Sequence, residues 1–206
     1  MSITILGANS ASGEYEISNS AAFFAEGYME RTQGTPTNAK KATISFWIRR
    51  ACNFGANQTV LSWDSGGGSQ AYLRFANSNG NIQLFNDTAG ETDTSIITTQ
   101  VVRDPAAWYH FVLQWDSAQS TASNRVKFYL NGEQITSFGT ANYPPQNTDF
   151  ALNVNGNAID LGRWAAGSEY LESYLAEFHF VDGTISAHTD FGKFDTNNTW
   201  IPKQYD

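Results

Sequence analysis

Three residue types in this 206-residue chain could do chemistry: carboxylates, three histidines and one cysteine. Hydrolysis of a glycosidic bond needs two carboxyl groups held roughly 5–9.5 Å apart. The nearest run of that kind is Glu91-Thr92-Asp93-Thr94-Ser95-Ile96, and Asp160 and Glu177 could meet only across strands. Nucleophilic catalysis would pair Cys52 with His110, His179 or His188, but no motif surrounds any of them. A lone free cysteine behaves mostly as a small buried hydrophobe. Zinc needs clustered His and Cys, and no spacing brings these histidines together; His110 and His179 read as hydrogen-bonded strand histidines. Calcium takes several oxygen ligands, and the acidic loop Asp87, Glu91, Asp93 is the place for it.

Sugar contact asks for an aromatic ring beside amides or carboxylates that accept from hydroxyls. Trp164 follows Arg163 in a loop flanked by alanine and glycine, which leaves its ring approachable, and Tyr143 precedes a rigid Pro144-Pro145 turn. The loop Ser65-Gly66-Gly67-Gly68-Ser69 offers a third contact surface through Ser65 and Gly67. The same aromatics would equally suit a protein interface, where such side chains are enriched. Trp47, Trp63, Trp108, Trp115 and Trp200 lie in or beside strand-like segments and read as packing residues.

The elements that must hold these loops are strands. Short alternating runs rich in β-branched and aromatic residues dominate, with almost no helical periodicity. In 42–50, Ile44, Phe46 and Ile48 share a face; in 108–116, Tyr109, Phe111, Leu113 and Trp115 do; in 125–130, Val126, Phe128 and Leu130 do. In 170–181, Leu171, Ser173, Leu175 and Glu177 alternate with Tyr174, Ala176, Phe178 and Phe180, as in a strand covered on both sides. Further strands are expected at 15–17, 23–30, 58–63, 71–76, 81–85, 95–99, 150–154 and 158–162. Asn79-Gly80 and Asn131-Gly132 are tight-hairpin signals, because both positions tolerate positive φ. About a dozen strands with no helical crossover imply an all-β, antiparallel two-sheet sandwich over residues 1–206, with its core at about 14–195 and short terminal docking segments.

Composition removes several partners. The net charge of −8 argues against nucleic acid, whose phosphates need Lys and Arg, and against anionic membranes. Only 16% of residues are charged, so Asn, Gln, Ser, Thr and Gly must supply the polar surface. No apolar run approaches the roughly 18 residues of a membrane-spanning helix. The first residues, Met1-Ser2-Ile3-Thr4-Ile5-Leu6, lack the basic region and long apolar core of a secretory signal.

Trp108-Tyr109-His110-Phe111-Val112-Leu113, Asp116 and Val126-Lys127-Phe128-Tyr129-Leu130-Asn131-Gly132 resemble the central strands of laminin-G-like, concanavalin A-like jelly rolls. Leu161-Gly162-Arg163 and Tyr174-Leu175-Ala176-Glu177-Phe178-His179-Phe180 look like the next two. Three flanks extend the likeness to about 15–203: Arg103 to Trp108, Gly27-Tyr28-Met29-Glu30-Arg31-Thr32, and Asp190-Phe191-Gly192-Lys193-Phe194-Asp195 with Trp200-Ile201-Pro202-Lys203. This set resembles laminin-G-like modules in virion proteins of tailed phages, such as tail fibres and other particle-surface components.

That resemblance implies a non-catalytic structural protein on the particle surface, present in several symmetric copies. Its partners would be other virion proteins and, as an adhesin, a host-cell glycan. Two family features do not carry over. The glucanase branch uses E-x-D-x-E or E-x-D-x-x-E, and the second Glu is missing after Glu91 and Asp93, so no hydrolase activity is expected. Pentraxin-like relatives carry an acidic cluster after the Leu-Gly element, whereas Leu161-Gly162 is followed by Arg163-Trp164-Ala165-Ala166.

Overall fold

The computed structural model describes residues 15–51, 55–76, 80–88 and 93–206. Cys52, Asn79 and Glu91 therefore lie outside the described residues. Fifteen strands are described: β1 (Ala21–Phe23), β2 (Met29–Thr32), β3 (Lys41–Arg50), β4 (Gln58–Asp64), β5 (Gln70–Phe75), β6 (Asn81–Asp87), β7 (Thr94–Val101), β8 (Tyr109–Asp116), β9 (Val126–Leu130), β10 (Glu133–Ile135), β11 (Phe138–Asn142), β12 (Ala158–Leu161), β13 (Ser173–Asp182), β14 (Gly192–Phe194) and β15 (Trp200–Pro202). One sheet has the order β1-β13-β3-β8-β9-β10 and the other β11-β7-β6-β5-β4-β12-β2. Neighbouring strands run antiparallel, as in a jelly-roll sandwich.

The alternation expected from the sequence builds the core between the sheets. Phe46, Phe111, Leu113, Phe128 and Leu130 are buried in it from the six-stranded sheet, and Leu73, Ile82, Leu84 and Ile96 meet them from the seven-stranded one. Phe178 packs against the same cluster.

Several local expectations are corrected. Segment 23–30 is not one strand. Ala25 and Glu26 take positive φ and turn the chain from β1 in one sheet to β2 in the other. Residues 15–17 join no strand; Tyr15 instead donates its hydroxyl to Glu177 Oε1 at 2.6 Å. Segment 150–154 forms a buried 3₁₀ turn at Ala151–Asn153, because Phe150 and Leu152 both enter the core and Asn86 Oδ1 accepts the Ala151 amide at 2.8 Å. The simple alternation of 170–181 breaks at Glu177, which sits at φ 46° in a β-bulge between Ala176 and His179. One extra residue flips the face that follows, so Phe178 and Phe180 pack against the same core as Leu175.

The C-terminal segment is not a free docking tail. β14 and β15 form a small hairpin, and Trp200, Trp47 and Ala176 make a second apolar cluster. Thr43 Oγ1 donates to Thr184 O and accepts the Ser186 amide, each at 3.0 Å. His188 stacks on Tyr129 at 4.2 Å and Phe191 on Tyr205 at 4.5 Å. The chain's own end thus covers the outer side of the six-stranded sheet around Thr43, Trp47, His110 and Tyr129. Trp108 departs from the packing role expected of it: 38% of it is exposed, beside Arg49.

Candidate functional site

With much of the six-stranded sheet's outer face covered from within, the outer face of the seven-stranded sheet is the broader candidate surface for external contact among the described residues, beside a smaller patch of Phe24, Tyr174, Arg49 and Trp108. Strand register fixes its composition, since directly paired residues share a face. The first row is Asp64, Gln70 and Asp87, on β4, β5 and β6. The second is Ser62, Tyr72, Phe85, Ser95 and Asn142, running from β4 through β7 to β11. The third is Thr59, Arg74, Gln83, Ile97 and Thr140. Polar and aromatic side chains alternate here with the core residues of the same strands.

The middle of this face is tightly organised. Tyr72 stacks on Phe85 at 5.2 Å with the rings 17° from parallel, and the Arg74 guanidinium lies 4.1 Å from the Tyr72 ring centre. Arg74 Nε donates to Gln83 Oε1 at 2.9 Å, so the Gln83 amide nitrogen is left to donate elsewhere. Arg74 Nη1 donates to both Glu169 oxygens, at 3.1 and 2.9 Å. The same carboxylate accepts from Asn57 Nδ2 at 2.7 Å and from Thr59 Oγ1 at 3.1 Å. Burial raises the Tyr72 pKa, keeping the phenol neutral.

Residues 162–171 form a wall along one side. Trp164 and Ser168 pair as a narrow hairpin, and the Glu169 carbonyl accepts the Thr59 amide at 3.0 Å. Glu169 holds φ 50°, an uncommon conformation for a side chain of its size. It persists here because its carboxylate is held by three neighbours.

Trp164 does not project from a rim. It is half-buried, edge-on to Tyr72 at 5.4 Å, because the hairpin folds back over the sheet. Ser65 and Gly67 are exposed, in the loop joining β4 to β5. Asp87 ends β6 and Asp93 precedes β7, so the two meet at the same rim. Burial and the Asp93 charge raise the Asp87 pKa.

Tyr143 lies elsewhere: it packs against the core and edge-on to Phe138 at 6.5 Å. Arg163 is engaged within the protein, donating to Asp160 Oδ2 at 2.7 Å with its guanidinium 3.3 Å from the Tyr28 ring centre. Burial lowers its pKa, but the Asp160 hydrogen bond and charge outweigh that and raise it.

The carboxylate pair Asp160 and Glu177 is not assembled. They sit in different sheets, Asp160 held by Arg163 and Glu177 by Tyr15 and His179. Among the described residues no group of three His, Cys, Asp or Glu side chains could hold a metal ion; of the three calcium candidates Asp87 and Asp93 stand together at one rim and Glu91 lies outside the described residues. Sequence reasoning missed Tyr72, Phe85, Arg74, Gln83 and Glu169. The alternation Gln70, Tyr72, Arg74 beside Gln83, Phe85, Asp87 was the available signal, since it puts large or amide-bearing side chains on the face opposite the core.

The match with known proteins agrees with this architecture. Residues 25–189 match the laminin G model described as the concanavalin A-like lectin/glucanases superfamily, and the chain belongs to that family. No curated protein matches the sequence. Among solved structures, a SAP-like pentraxin from Limulus polyphemus aligns with a TM-score of 0.53 at 15% identity, covering 79% of this chain and 72% of that one. The CBM40 of a Ruminococcus gnavus sialidase, bound to α2,3-sialyllactose, gives 0.50 at 18%, covering 77% and 91%. Domain 4 of a Geobacillus stearothermophilus arabinanase, in complex with arabinotriose, gives 0.51 at 14%, covering 77% and 84%. At these identities the likeness is one of fold.

Proposed function

We propose that this protein is a non-catalytic binding module that holds a glycan on the outer face of its seven-stranded sheet. The observation that carries the reading is the convergence of Tyr72, Phe85 and Trp164 with Arg74, Gln83 and Glu169 on one face. Sugar rings offer apolar C–H faces and hydroxyl edges, and this surface offers aromatic area beside fixed donors and acceptors. Locked side chains add to affinity because little freedom is lost on binding. Two structural neighbours of this fold were solved with oligosaccharides, sialyllactose in one and arabinotriose in the other.

The sequence resemblance to tailed-phage modules supplies a setting. In it the domain sits on a virion surface in several copies, anchored to other virion proteins, and presents this face to a host-cell glycan. A spacer or decoration protein would use the sandwich only for protein contacts.

Glycan-array binding and particle incorporation, measured on wild type and on Phe85→Ala, separate these roles. Loss of glycan binding with normal incorporation supports the proposal. No glycan binding by the wild type, with incorporation dependent on this face, supports the assembly role instead.

A further inference from the structure

We infer that the site selects neutral glycans and rejects acidic ones, a refinement that rests on the glycan-binding reading above. An acidic sugar is held most strongly by an uncompensated cation, and among the described residues this face offers none. Its cation, Arg74, already donates through Nη1 to both oxygens of Glu169 and through Nε to Gln83. Only 18% of the Arg74 side chain and 25% of that of Glu169 are exposed, so the pair is a neutral unit with little access for a competing carboxylate. The next basic group toward the wall, Arg163, is committed to Asp160 and Glu30.

The open rim carries the opposite sign. Asp64 and Asp87 flank Gln70 in the first row, and Asp93 stands beside Asp87. None of the three joins an ion pair among the described residues. Their carboxylates can accept hydrogen bonds from hydroxyls, which suits a neutral sugar, and they repel a sialate, uronate or sulfate.

The open part of the face also has length. From β6 through β7 to β11 the accessible part of the second row runs Phe85, Ser95, Asn142, with Tyr72 buried beside Phe85. At about 4.8 Å between strands this spans roughly 10 Å, enough for about two sugar rings. A neutral oligosaccharide lying across the strands would meet an aromatic surface at the wall end and hydroxyl and amide groups toward the β11 edge.

The test uses matched pairs on an array and in calorimetry: neutral oligosaccharides and the same chains bearing a terminal sialic acid, a uronic acid or a sulfate. The wild type should bind a neutral chain and bind its acidic counterpart at least tenfold more weakly. The double variant Asp64→Asn, Asp87→Asn should narrow that gap without loss of thermal stability. Equal or tighter binding of the acidic member overturns the inference while leaving the glycan site intact. Binding of neither member, by a folded protein, overturns the glycan reading itself and this refinement with it.

Discussion

Trp200 Nε1 donates a hydrogen bond to His110 Nδ1 at 3.0 Å, joining the C-terminal hairpin to the centre of the six-stranded sheet. Nδ1 must accept, so the proton of the neutral ring sits on Nε2 and is donated to Ser45 Oγ at 2.9 Å. Trp47 packs on one side of the imidazole at 4.8 Å, and Phe191 and Trp200 lie close to it at 6.5 and 5.8 Å. Burial, with His179 and His188 adding, pushes the His110 pKa down to about 3. Burial also lowers that of His188.

A pH dependence follows. In the unfolded chain a histidine titrates near 6.5. The neutral His110 therefore favours the folded state fully above about pH 6.5, and that contribution fades as pH falls toward 3. Its size is on the order of 5 kcal/mol. The melting temperature should fall between pH 7 and pH 4.5, and His110→Gln should show a smaller fall over that range. An identical pH profile in the variant would contradict this role.

Trp200 lies in a slot that side chains would fill. A Cβ on Gly132, at φ 81°, would collide with its ring, and one on Gly192 would come within 2.5 Å of it. Gly192→Ala should destabilise by about 1–3 kcal/mol, as overpacking does, read as a lower midpoint in urea. Gly132→Ala should cost more, because positive φ adds backbone strain.

Phe128 is fully buried between Phe111 and Phe138. Phe128→Ala should cost roughly 3–5 kcal/mol. An unchanged thermal melt would remove Phe128 from the core.

The Arg74–Glu169 pair is three-quarters or more shielded, so removing one partner strands the other. Arg74→Met or Glu169→Gln should each cost about 1–2 kcal/mol, between surface and buried pairs. In a double-mutant cycle the two losses should not add.

The strands that bury one clean face were legible in the sequence, because alternation alone identifies them. Ile44, Phe46 and Ile48 pack as their spacing implies. What escaped depended on long-range geometry. The packing role of Trp200 was legible, but its partners were not; they include Trp47, His188, Phe194 and His110, 90 residues earlier. Glu177 reads as the next alternating residue, and only the bulge shows otherwise. The site was half legible. The loops carrying Trp164, Ser65 and Asp87 were named, but Tyr72, Arg74 and Phe85 become a site only once β5 and β6 pair in register and Glu169 folds onto them.

The most direct test of the glycan-binding face is an array of neutral oligosaccharides probed with wild type, Phe85→Ala and Trp164→Ala. Both rings sit on the outer face, so circular dichroism should confirm folded variants. Wild type should bind a defined set of glycans, and each variant should bind the same set about tenfold more weakly or worse, as truncation of a central aromatic contact does. Undiminished glycan binding in both folded variants would contradict the account.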